Sequence, residues 1–186
     1  VKPYENKIVI DKTKINQLEL ISESLIFSNS SEAIIMGKDN SKGIILRGYL
    51  DNDFSKLDIV KNENFKGSLN VRKNNISIGR ELSFNLNLDI GDDISIMSSS
   101  GIETIIGNLP KQKTFVITSI YESGLADFDN NIIFLNLETL EEFANLPLVE
   151  RNLEIYLKNP QKIFIQKQIV QKIFKNEFIY SWADMN

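Results

Sequence analysis

Hydrophobic positions along the chain change their spacing several times, and each change predicts an element. Ile8–Ile10 is a short apolar run, and Ile15, Leu18 and Ile21 recur at helical spacing in the polar stretch Asp11–Leu25. Ser24–Phe27, Ala33–Gly37 and Gly43–Leu50 then predict three strands, with turn residues between them at Asn29–Ser31 and Lys38–Ser41. Phe54–Val60 reads as a turn with a helix fragment, and Asn62–Gly67 as a loop. After Asn74–Asn75 the pattern becomes denser. Ile76–Gly79 predicts a short strand, and Arg80–Leu88 a helix whose apolar positions are Leu82, Leu86 and Phe84. Gly91 suits a tight turn or left-handed helix stop, and Asp93–Met97 alternates as a half-buried strand does.

Thr114–Tyr121 and Ile132–Leu137 predict two more strands, and Thr139–Leu146 a short helix capped by Asn136 or Thr139 and stopped by Pro147. The tail repeats a β-α-β pattern. Asn152–Leu157 alternates, and Asn159–Pro160 starts a helix whose apolar face runs through Ile163, Gln166, Ile169, Val170, Ile173 and Phe174. Phe178–Trp182 predicts a last strand. Strands and short helices dominate the middle, while both flanks have α/β character. This predicts an α+β protein with one part inserted into a split outer part. No internal repeat or low-complexity linker interrupts it.

Between the strands lies Ser98–Lys113, sixteen residues with no clear secondary-structure pattern. Connections beyond about 12–15 residues are usually functional or disordered. This one is not composed like a disordered linker. Ile102, Ile105, Ile106 and Leu109 are apolar, Gly101 and Gly107 permit sharp turns, Pro110 stiffens the exit, and Lys111 and Lys113 add charge. Two readings stay open on the residues alone: a protruding arm that binds a partner, or a lid folded back on its own domain.

Composition narrows the chemistry. The chain has 186 residues, 42% hydrophobic and 25% charged, with a net charge of −4; that fits a folded globular chain and argues against disorder. Lys is interleaved with Asp and Glu, so the clustered positive charge that nucleic acid needs is missing and none is expected as a partner. With no Cys and no His, thiol catalysis, Ser–His dyads and His- or Cys-ligated zinc are excluded. No apolar run reaches the roughly 20 residues that span a bilayer. The chain opens on Val1, not Met, and shows no signal peptide, so further protein is expected on that side.

Other candidate sites are weak. Asp127–Asn131 begins like a calcium loop, with Glu138 at its twelfth position, but Ile132 stands where such a loop needs Gly, so an Asp- and Asn-rich turn is the simpler reading and no metal is expected. Asp92 and Asp93 would point to opposite faces of a strand. Glu138, Glu141 and Glu142 read as solvated helix charge. Ser98–Gly101 has neither a base nearby in sequence nor a phosphate-loop pattern around it. No catalytic residue and no cofactor are expected.

An ordered series of motifs resembles a known group. Ile78-Gly79-Arg80-Glu81-Leu82, then Leu86 to Gly91-Asp92, is similar to a signature of MacB-like extracytoplasmic permease domains. Pro110–Ile117, then Ser119-Ile120-Tyr121-Glu122-Ser123-Gly124-Leu125 and Asp127-Phe128-Asp129, resembles the lipoprotein-releasing ABC permeases, the LolC/LolE group. Arg47-Gly48, Asn159-Pro160 and Ser181-Trp182 also match, and the resemblance covers essentially the whole chain.

The resemblance implies a periplasmic domain of an inner-membrane permease, lying between its first and second transmembrane helices. It implies a porter-like α/β part at residues 1–74 and 149–186, and an inserted, β-rich, sabre-like part at residues 75–148 carrying a hook-like loop at 98–113. The implied partners are the soluble carrier LolA, lipoprotein cargo, a separate cytoplasmic ATPase subunit and a second permease subunit. Ile105, Ile106, Gly107, Leu109, Pro110, Lys111 and Lys113 would contact the carrier, and the opening Val1–Tyr4 would begin inside a family strand. Another MacB- or FtsX-like permease, serving efflux or regulating a cell-wall hydrolase, is the alternative.

Overall fold

The computed structural model describes residues 1–37, 41–105 and 107–184. In chain order these form helix α1 (Lys12–Glu19), strands β1 (Ser22–Met36) and β2 (Ser41–Tyr49), the single-turn α2 (Asp51–Phe54) and the two-residue β3 (Lys66–Gly67). Next come β4 (Asn75–Gly79), α3 (Arg80–Leu86), β5 (Asp93–Thr104), β6 (Gly107–Tyr121) and α4 (Ala126–Asn131). β7 (Ile132–Asn136), α5 (Leu137–Ala144), β8 (Asn152–Leu157) and α6 (Ile163–Ile173) complete a mixed α+β chain. Contacts divide it into two compact units, Val1–Ser28 with Pro147–Asn186, and Asn29–Leu146. The division falls at 28/29 and 146/147 because the strands of residues 29–74 pair with those that follow them.

In the first unit, the Asp11 carboxylate caps α1 by accepting from Lys14 N at 2.8 Å. The first part of β1 runs antiparallel to β8, from Ser22↔Leu157 to Ser28↔Asn152. Leu18, Leu153, Val170 and Phe174 form its core with Ile8, so most of the face predicted for α6 packs, while Ile169 lies exposed at its margin. The predicted strand Phe178–Trp182 is instead one antiparallel bridge, Lys2↔Phe178, followed by a short 3-10 turn. The opening Val1–Tyr4 makes that bridge at Lys2, and Val1 O accepts from Leu153 N at 2.8 Å. Asp184 holds the turn to α6: its carboxylate accepts from Lys167 Nζ at 2.7 Å and from Ser181 N at 2.6 Å.

These bonds lower the Asp184 pKa to about 2, the Lys167 contact first and the two Ser181 contacts next. A depressed carboxylate contributes its stabilisation above its unfolded pKa and loses it as pH falls through the folded value. The Lys167–Asp184 attachment should thus persist at neutral pH and loosen only between about pH 4 and about pH 2. Carboxyl NMR should show an Asp184 midpoint near 2, moving up towards the usual range in Lys167→Met. An unmoved midpoint in that variant would refute the assignment.

The second unit holds the larger core. Strand pairing runs β2-β7-β4-β6-β5-β1, and β1 also pairs with β2, so six strands close into a ring. Closure removes exposed edges, and inward side chains fill a ring of this size. Ile35, Leu46, Ile76, Ile94, Phe115 and Leu135 lie in that core. β2–β7 and β4–β6 are parallel, while β4–β7, β5–β6 and β1–β5 are antiparallel. The turn expected at Asn29–Ser31 is absent: β1 runs through it unbroken, because its two halves pair with different strands. Of the expected turn at Lys38–Ser41, Lys38, Asp39 and Asn40 lie outside the described residues.

Beside the ring, Tyr121 packs against Phe128 and Phe134 and donates its hydroxyl to Ile132 O at 2.8 Å. Burial, and then the Asp129 charge, push its phenol far above the ordinary value, so it remains a donor. Tyr121→Phe would leave a carbonyl unpaired in this apolar surrounding. The expected loss is about 1–2 kcal/mol in urea unfolding. Unchanged stability would show that the carbonyl finds another partner.

Candidate functional site

The stretch predicted as a loop is a β-hairpin. β5 and β6 pair from Asp93↔Val116 to Met97↔Gln112, slip, and pair again from Gly101↔Pro110 through Ile102↔Leu109 and Glu103↔Asn108 to Thr104↔Gly107. The pattern hid this because Gly and Pro are depleted in strands, and this run contains Gly101, Gly107 and Pro110. Here Gly101 and Pro110 face each other directly, and Gly107, with φ 121°, closes the tip.

The predicted contact residues take different places. Ile105 at the tip is fully exposed, and Gly107, Leu109 and Pro110 are exposed along β6. Ile106 lies outside the described residues. Lys113, paired with Ile96, has its ammonium 5.5 Å from the Phe115 ring centroid, a cation–π distance. Lys111 sits lower, at the slip, where it alone faces Ser98, Ser99 and Ser100. Its ammonium donates to Glu142 O at 2.8 Å and to the Asn145 side-chain oxygen.

The serines that suggested a nucleophile are occupied with structure. Ser98 Oγ and Ser100 Oγ lie 2.9 Å apart, Ser100 Oγ donates to Ala144 O at 2.6 Å, and Ser99 Oγ donates to Glu32 O at 2.9 Å. The run Asp127–Asn131, expected as an Asp- and Asn-rich turn, is instead part of helix α4. Asp129 is buried and accepts from Ser123 N at 3.0 Å. Among the described residues no group of three acidic side chains is placed to hold a metal. An open groove beside α3 holds Arg80, Asp92 and Glu122. Three of its charged groups have partners within the chain: Arg80 donates to both Glu122 oxygens at 2.9 Å, and Asp92 accepts from Asp89 N at 2.7 Å.

No family model matches the chain. Its curated relatives are transmembrane proteins of lipoprotein-releasing systems. It is 26% identical over 119 residues to the lipoprotein-releasing system transmembrane protein LolC of Xylella fastidiosa, a match covering 62% of this chain and 29% of that protein. It is 27% identical over 175 residues to LolC of Buchnera aphidicola, covering 91% of this chain and 41% of that protein. Among solved structures, the periplasmic region of MacB from Actinobacillus actinomycetemcomitans superposes with a TM-score of 0.53 at 10% identity, covering 97% of this chain and 87% of that one. The chain is LolC-like in sequence and MacB-like in fold. The resemblance carried by the motifs is thereby borne out. The LolC-like chain spans well under half the length of the curated relatives it matches. No helix among its described residues is long and apolar enough to cross a membrane.

Proposed function

We propose that this chain is the periplasmic domain of a lipoprotein-releasing ABC permease of the bacterial inner membrane, and that its β5–β6 hairpin docks the soluble carrier LolA. One observation carries the reading. In a chain whose curated relatives are LolC proteins, the distal hairpin bears an exposed Ile105 and Leu109, neither of which belongs to the core. Apolar side chains held out on an arm are stabilised by burial against a partner.

In this reading Ile105, Ile106, Gly107, Leu109 and Pro110 form the apolar contact, and Lys111 and Lys113 supply charge beside it. The inserted β-rich part carrying the hairpin is sabre-like, and the split flanking part is porter-like. Lipoprotein cargo passes from the permease to the carrier, a second permease subunit completes the complex, and a separate cytoplasmic subunit hydrolyses ATP. The domain itself then has no reaction to catalyse. Its role is to hold the carrier where cargo is released.

The test is binding of this chain to LolA of the same organism, with and without the distal hairpin. Equal binding by both forms, or by neither, would count against the reading and favour a MacB-type permease with another task.

A further inference from the structure

The slip in the hairpin lies against the C-terminal end of α5. A helix leaves its last carbonyls without intrahelical partners and gathers partial negative charge there. In α5, Glu141 O accepts from Asn145 N and Leu146 N. Glu142 O accepts from the Lys111 ammonium, and Ala144 O from the Ser100 hydroxyl. Asn145, left-handed at φ 53°, accepts from Lys111 and donates its side-chain amide to Gly101 O at 3.2 Å. Ser99 ties the same slip to β1 through Glu32 O.

α5 is itself anchored. Its cap residue Asn136 accepts from Thr139 N at 3.0 Å and donates to Asp51 at 2.9 Å, and Leu140 and Phe143 lie in the core. A Cβ on Gly48 would stand 2.9 Å from the Leu137 backbone, so β2 and α5 are in close contact. A side chain can therefore transmit the position of this helix to the hairpin. An uninterrupted two-stranded ribbon has no such tie, and little besides its own pairing would set its direction beyond the slip.

We propose that the Ser98–Ser100/Lys111 slip is a latch on the α5 C-terminus that aims the distal hairpin, and that Lys111 is a positioning residue. This rests on the hairpin being the carrier-binding element, and it changes the role of one residue in that contact. Lys111 acts through α5, whereas Ile105 and Leu109 meet the carrier.

The chain has no cysteine, so Leu109→Cys and Glu138→Cys together supply two unique spin-label sites, one on the hairpin and one on α5. Electron–electron distance measurements should give a narrow distribution with Lys111 present. The distribution should broaden in the Lys111→Met, Ser100→Ala double variant and stay narrow in Lys113→Met. On unlabelled protein, the double variant should bind LolA about fivefold or more weakly, since a charge-assisted bond is removed from the arm's support. A distribution that stays narrow in the double variant overturns the latch, and if binding is lost at the same time, Lys111 is a contact residue. If the parent chain binds no LolA, the docking reading fails, and broadening or its absence still decides the latch.

Discussion

Replacing residues 101–110 by an Asn-Gly turn is expected to abolish LolA binding while leaving the fold intact. The stability side follows from packing. Of residues 101–110, Ile105, Leu109 and Pro110, whose side chains are described, lie outside the core of the second unit, and the proximal pairs from Asp93↔Val116 to Met97↔Gln112 are untouched. What is lost is the distal pairing and the Asn145–Gly101 bond. The thermal midpoint should move by no more than about 4 °C.

The binding side follows from exposure. Ile105 and Leu109 are the apolar groups a partner can cover, and removing anchors of this kind weakens binding by about a hundredfold or more. Ile105→Asp separates the two effects. At a fully exposed site it should change stability by no more than about 0.5 kcal/mol, yet cost about tenfold or more in affinity. Retained carrier binding in the shortened chain, measured by surface plasmon resonance or calorimetry, would end the docking proposal.

Gly79→Ala should destabilise the protein by about 3 kcal/mol or more, although the new side chain is a single methyl. Gly79 has φ −76° and ψ 153°, an ordinary extended conformation, so the backbone accepts Ala without strain. Ala would even restrict the unfolded chain, a gain of about 0.4–1 kcal/mol. Sterics outweigh that gain. The added Cβ would lie 2.0 Å from Asp129 O and 2.5 Å from Asp129 C and Cα, all backbone atoms of α4. Asp129 cannot easily retreat, because its buried carboxylate holds Ser123 N and Oγ.

The thermal midpoint should fall by about 6 °C or more. Gly43→Ala is the matched comparison, since nothing lies within 4 Å of its added Cβ. It should stay within about 0.5 kcal/mol of the parent. Equal stability of the two variants would show that α4 can shift without cost.

Both predictions depend on contacts that differ in how far they could be read from the chain. The motif containing Gly79 was recognised as a family feature, but its physical reason, the approach of α4, spans about fifty residues of sequence. Helix α5 was legible in its existence and cap, expected over Thr139–Leu146 and found two residues earlier at Leu137–Ala144. Asn136 is a strong cap, the apolar positions repeat at helical spacing, and Pro147 follows the stop, all local effects within a few residues. The apolar face of α6 was legible for the same reason, including the unexpected Gln166, which is buried.

The residue pattern did not show the hairpin, which only the family resemblance implied as a hook. Ser98–Ser100 has no alternation, and Gly and Pro argued against strands, so the residues read as a long loop. Its apolar composition was nevertheless visible. The strand conformation comes from pairing with β6 on both sides of a slip, and a slip has no local signature when the chain on each side must first find its register. Lys111 shows the same limit. Its charge was evident, but its acceptors on Glu142 and Asn145 lie 31 and 34 residues away.

The sequence by itself located most of the helices, with ends displaced by a few residues, and most of their apolar faces, and it left thiol and histidine chemistry without a basis in these residues. Those properties depend on residue type and on neighbours within one turn or one strand. Only the tertiary structure decided that six strands close into a ring, that β1 continues through an apparent turn, and that a serine-rich slip seats the hairpin on the end of α5. Each of these joins hydrogen-bonding groups far apart in the chain. The unpaired carbonyl or strand edge that draws a residue into place exists only once the rest has folded.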